Sequence, residues 1–170
     1  MDFIELAKNR YSCKNFSDKV VDRDSLRTIL EAGRLAPTAQ NRQGQHIYVV
    51  ESKEGLSKID KLTPCRYNAQ TALLVAFDRN NTDIYPGGKY NSGVEDASIV
   101  ATHMVLAAQS LGVDSCFVNI FDPDKLAEEF SLPANEQVVA IIDLGYKADG
   151  VKPLAKHFER KDLDELVSFI

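Results

Sequence analysis

The chain contains no tryptophan, only two methionines and only three cysteines in 170 residues. Cys13, Cys65 and Cys116 are odd in number, far apart and without C-x-x-C spacing, which argues against a disulfide framework or a structural zinc site. A reducing compartment is the corresponding expectation. Long apolar runs are missing too: nothing approaches the roughly 18 residues of a membrane span. The opening "MDFIELAKNR" carries two acids and no apolar core of the kind a secretory leader needs, so the cytoplasm is the expected location. Neither G-x-G-x-x-G nor G-x-x-x-x-G-K-[ST] occurs, and Gly87-Gly88-Lys89 reads as a bare turn. His46, His103 and His157 lack metal-type spacing, so no metal is expected, and His103 is expected to pack or hydrogen-bond within the helix layer. A Cys/His nucleophile pair built on Cys13 or Cys116 is a poor alternative.

Charge of one sign is also scarce in any one place. With a net charge of -5 and scattered basic residues, the chain offers no nucleic-acid surface. The exception is a late cluster of Lys152, Lys156, His157, Arg160 and Lys161.

What is present is an ordinary globular composition, 44% hydrophobic and 26% charged, sufficient for one domain over residues 1–170. Helical patterns alternate with short apolar strands. Phe3 to Asn9 reads as a helix, and a second begins near Asp22 or Asp24, with Leu26, Ile29, Leu30 and Ala32 inward and Gly33 and Pro37 near its end. "HIYVVES", "TALLVAF" and "EQVVAIIDLGY" read as strands, and "DSCFVNI" as a fourth. The spacing predicts a long helix from Val94 to Leu111, opened by a Ser92/Glu95 capping box and closed by Gly112. Its apolar stripe runs through Ala97, Val100, Ala101, Met104, Ala108 and Leu111, with Ile99, Leu106 and Ala107 off to the other side. So wide an apolar surface suits either a central helix within one core or a helix that also meets a second subunit.

Two segments carry chemistry. In "NRYSCKNFSD" an extended chain sends Arg10, Ser12 and Lys14 to one side and Tyr11 and Cys13 to the other. The result is a cationic edge with a hydroxyl, suited to a phosphate dianion. By itself the pattern is more simply a solvated strand edge with ordinary surface cations. The second segment, "GRLAPTAQNRQGQHIYVV", runs from a helix end through Thr38, Gln40, Asn41 and Gln43 into a strand. Amide side chains both donate and accept, which suits a heterocycle with alternating carbonyls and ring nitrogens.

R-x-S-x-K followed at this distance by A-P-T-A-Q-N-R-Q resembles the nitroreductase family of FMN-dependent oxidoreductases. "VEDASIVATHMVLAAQSLGVDSCFVNIFDPDKLAEEFSLP" is similar to that family's long central helix, next strand and following helix, and "EQVVAIIDLGYKADGVKP" to its late strand and Gly-Tyr turn. The resemblance extends over about 150 residues. It implies an α+β fold with a central, mostly antiparallel sheet flanked by helices, and a homodimer with FMN at the interface. Arg10, Tyr11 and Ser12 would lie at the FMN phosphate, and Lys14 near the phosphate, the ribityl chain or the N1/O2 edge, with Arg66 a distant second for that edge. Pro37, Thr38, Ala39, Asn41 and Gln43 would surround a flavin, in part that of the opposite subunit. Asn119 and Ile120 match the segment whose backbone approaches N5; Arg160 and Lys161 match the basic pair at the phosphate, Lys156 being an alternative.

The implied activity is ping-pong hydride transfer from NAD(P)H to an acceptor such as a nitroaromatic or quinone. A different flavin reaction and flavin binding without turnover are the rival readings. The chain departs from the family at Gly44-Gln45, where Pro-Trp is common, at Phe117, where a Trp is common, and in the short stretch Asp78 to Asn91.

Overall fold

The computed structural model describes residues 2–170. Four strands, β1 (Gln45–Val50), β2 (Thr71–Asp78), β3 (Asp114–Val118) and β4 (Glu136–Gly145), form one antiparallel sheet in the order β1-β2-β4-β3. Of the helices α1 (Phe3–Asn9), α2 (Arg23–Arg34), α3 (Lys53–Leu62), α4 (Gly93–Ser110) and α5 (Pro123–Glu129), the last four cover the sheet, whereas α1 packs against α4 rather than the sheet. The fold is α+β, with helices on both faces of the sheet.

Two apolar layers explain the strand sequences. Leu73, Val75, Phe77, Ala140, Ile142 and Leu144 pack against α2 and α4, whereas Ala72, Leu74, Ala76, Cys116, Val118 and Ile141 pack against α3, α5 and the segment Tyr11 to Phe16. A strand buried on both faces reads as a continuous apolar run, as "TALLVAF" does. Opposite β2, a bulge between Val75 and Ala76 changes the phase of β4, so that Val138 and Ile141 share one face although three residues apart. The bulge thereby directs Asp143 toward the α3 side.

Asp22 caps α2, its carboxylate accepting from the Ser25 N–H at 2.9 Å. Gly33 lies inside α2, where its missing side chain admits Met104 of α4: an added Cβ would stand 2.9 Å from Met104 Cγ. Helix α4 buries Ala97, Val100, Ala101, Met104, Val105 and Ala108, and Gly112 closes it at φ +72°. Leu111 is the cap residue itself and is 41% exposed, so it leaves the predicted stripe.

The Ser92/Glu95 capping box does not form. Ser92 Oγ instead accepts from the Asp83 N–H, and the Glu95 carboxylate accepts from the Tyr85 hydroxyl, so both side chains tie down the 79–91 loop. The second face of α4 is partly open, with Leu106 and Ala107 half-buried and a shallow groove between Glu95, Ile99, Thr102 and His103. His103 is exposed and hydrogen-bonds the Ile99 carbonyl of its own helix. Among the described residues, no helix is long and apolar enough to cross a membrane.

Candidate functional site

The segment Arg10 to Lys14 lies along the outer edge of β3. Ser12 bridges Ser115 in parallel, and the Cys13 N–H donates to the Ser115 carbonyl at 2.9 Å. Tyr11 and Cys13 point into the core, leaving Arg10, Ser12 and Lys14 on the other side, as the period of two requires. The Tyr11 hydroxyl is buried near Asp114 and Cys13 without a hydrogen-bond partner, and burial followed by the Asp114 charge raises its pKa.

Residues 154–160 fold back over this edge. His157 Nε2 meets the Lys8 carbonyl oxygen at 3.1 Å and the imidazole packs edge-on to the Tyr11 ring. A cavity of about 320 Å³ results, lined by Arg10, Ser12, Lys14, Lys156, His157 and Arg160 among others. It opens beside a second cavity of about 520 Å³ against α1, with His157 and Arg160 shared between them.

The electrostatics of this cavity are one-sided. Arg10, Lys14, Lys156 and Arg160 form no salt bridge among the described residues, although the protein carries 25 acidic side chains. Burial, and then the nearby Arg160, lower the pKa of Arg10. Two guanidinium groups that repel across a cleft, with no carboxylate between them, suit a multiply charged anion.

Lys14 donates to the Tyr67 hydroxyl at 3.1 Å and to Cys116 Sγ at 3.6 Å. Burial opposes its charge, yet these contacts leave its pKa raised. The Cys116 thiol is pushed up to about 11 by burial, which Lys14 only partly opposes, so it is a neutral thiol near pH 7. Cys13 is buried with a raised pKa as well, and neither sulfur hydrogen-bonds a histidine among the described residues. Arg66 is committed elsewhere, forking onto Asp60 at 2.7 Å through both Nε and Nη2 while Nη1 donates to the Ala69 carbonyl.

The polar loop is built in another place. Thr38 Oγ1 accepts from the Gln43 N–H, and Asp96, at the start of α4, accepts from the Ala39 N–H at 2.8 Å. Gln40, Asn41 and Gln43 all have positive φ, between 48° and 55°. Three left-handed residues without a glycine are a local cost of about 1–3 kcal/mol each, less for Asn, and such strain gathers at functional sites. Sequence patterning gave no sign of it.

The loop enters β1, at the opposite sheet edge from the Arg10 segment. Four inter-strand spacings separate the two edges, roughly 19 Å, so one chain does not bring both groups around one small cleft. Asn119 and Ile120 follow β3 just beyond the level of Lys14, with Ile120 exposed. Lys161 is exposed and is not part of the cavity wall, whereas Lys156 is. His157 and Leu154 also line it. Sequence reasoning noticed His157 only as part of a basic cluster, because its docking onto α1 depends on a backbone carbonyl.

The Nitroreductase family model matches residues 7–67 and 64–146, and the chain belongs to that family of oxidoreductase enzymes. A protein of Archaeoglobus fulgidus, provisionally named NADH dehydrogenase/NAD(P)H nitroreductase, is 30% identical over 156 residues, covering 86% of each chain. A solved nitroreductase family protein of Clostridium difficile 630 superposes with TM-score 0.93 at 39% identity, over 99% of this chain and 98% of that one. A protein of Exiguobacterium sibiricum solved in complex with FMN shares the fold, with TM-score 0.84 at 19% identity over 100% and 98% of the two chains.

Proposed function

We propose that the protein is an FMN-dependent NAD(P)H oxidoreductase, working in the cytoplasm as a homodimer of single-domain subunits. The observation that carries this reading is the set of four cations, Arg10, Lys14, Lys156 and Arg160, gathered without carboxylate partners around one cavity of an acidic protein. A phosphate ester would supply the missing negative charge, and the FMN complex of a protein of the same fold supports FMN as that ester.

Arg10, Ser12 and Arg160 hold the phosphate, with Lys156 rather than Lys161 as the second basic residue of the late cluster. Lys14 directs its ammonium to the electron-rich N1/O2 edge of the ring. Asn119 and Ile120 offer backbone near the reacting N5 position. Pro37, Thr38, Ala39, Asn41 and Gln43 are supplied by the second copy, because within one chain they stand at the far sheet edge. Bound there, FMN would supply the chemistry of hydride transfer from NAD(P)H to an acceptor such as a nitroaromatic or quinone.

Exposed apolar side chains favour the dimer. Phe158, Leu163, Leu166 and Phe169 all project from the last 17 residues, and the groove on α4 is uncovered. The activity is tested by following NADH and NADPH oxidation by FMN-loaded protein with a quinone acceptor. Acceptor-dependent turnover with either nicotinamide supports the reading; FMN binding with no turnover toward any quinone or nitroaromatic leaves a flavin-binding protein instead.

A further inference from the structure

Asp143 is a fully buried carboxyl on β4, and neither of its oxygens has a hydrogen-bond partner. It faces the layer beneath the cationic edge. Cys116 lies directly opposite on β3, and paired side chains on neighbouring strands start about 5 Å apart. The same Cys116 sulfur receives the Lys14 ammonium. Asp143 is therefore separated from Lys14 by one thiol.

The charged and titratable groups around it come from every packed element: Arg66, Cys65 and Tyr67 from the turn after α3, Asp60 from α3, Lys14 from the N-terminal segment and Cys116 from β3. Arg66 is the strongest opposing charge on Asp143, but three of its five N–H donors are already engaged by Asp60 and Ala69. Lys14 is the second cation of the group, and its two contacts leave a third N–H free.

Resting on the reading of the cavity as a flavin site, we propose that Asp143 is a positioning residue for Lys14: neutral, it leaves the ammonium to the cavity, and ionised, it draws that charge toward the sheet and weakens binding of an anionic cofactor. An unsolvated carboxyl next to an apolar layer resists ionisation, and burial raises Asp143 to about 8, with Arg66 opposing. The switch thus operates at mildly alkaline pH. Below it Asp143 carries a proton and Lys14 serves the ligand; above it a carboxylate competes for the same ammonium.

The test compares the native protein with Asp143→Asn, which keeps the shape and stays neutral at every pH. With ¹³C-labelled aspartate, the native carboxyl resonance that is missing in Asp143→Asn titrates near pH 8. Between pH 7 and 9 the native Kd for FMN rises about tenfold relative to the variant's. Adding Lys14→Met to both proteins abolishes that difference. A carboxyl that titrates near pH 4, or an FMN affinity whose pH profile is the same with Asp or Asn, overturns the proposal.

If neither protein binds FMN, the cofactor reading fails separately. The ¹⁵Nζ resonance of Lys14 in the native protein then decides: it follows the Asp143 titration if the two groups are coupled, and indifference to it overturns the coupling. That measurement also serves if Asp143→Asn does not fold.

Discussion

Arg10 is the residue on which the cavity depends most. It is half withdrawn from solvent, has no carboxylate within reach and faces Arg160. A cation held in such company is strained electrostatically until an anion arrives. With a phosphate in the cavity, as proposed, Arg10→Ala would remove a charge-assisted, fork-shaped contact worth about 1.5–3 kcal/mol. FMN titration of the variant is expected to give a Kd roughly ten- to a hundredfold above the parent's, while its thermal stability stays the same or improves. An unchanged Kd would return Arg10 to the solvated strand edge. Lys14, ranked ahead of Arg66 in the sequence by resemblance, is set apart from it physically in the structure, where Asp60 captures Arg66 and leaves Lys14 to the cavity.

At the scale of elements, close approaches rather than long side chains fix how the helices sit on the sheet. The Phe77 ring of β2 packs against the backbone of Gly93, the first residue of α4, so closely that an added Cβ would lie 2.2 Å from Cε2. Gly93→Ala forces the ring or the helix to shift, an overpacking cost of about 1–3 kcal/mol, which thermal unfolding reports as a Tm lower by several degrees. No change in Tm would mean that α4 is free to slide. That helix also carries Asp96, which holds the polar loop through Ala39, so the same variant is expected to weaken FMN binding.

Much of this architecture was legible because it follows from periodicity and punctuation. The four strands and the left-handed Gly112 lie where apolar runs and a missing Cβ put them, and of the two helix starts the sequence left open, Asp22 and Asp24, the cap is Asp22. The capping box failed because spacing does not show that the 79–91 loop competes for Ser92 and Glu95. The cationic edge was readable as a period of two. The left-handed run at Gln40, Asn41 and Gln43, the docking of His157 and the burial of Asp143 are tertiary effects and left no local signature.

For the whole molecule, the unsolved demand is cover. One chain places its cation cavity at one sheet edge and its polar loop at the other, and it exposes an apolar arm over its last residues. The proposed two-fold dimer would meet all three demands with one interface, each copy's loop reaching the other's cavity while the arms bury against the partner. Cofactor and assembly are then linked: a ligand that binds the dimer better than the monomer stabilises it by mass action. The direct measurement is native mass spectrometry with FMN of the full chain and of a chain lacking residues 162–170, which keeps Arg10, Lys14, Lys156 and Arg160. The full chain is predicted to appear as a dimer carrying two FMN, and the shortened chain as largely monomeric with most of its FMN lost. A full-length monomer that carries one FMN, or none after FMN is added, would contradict a cofactor site shared between two copies.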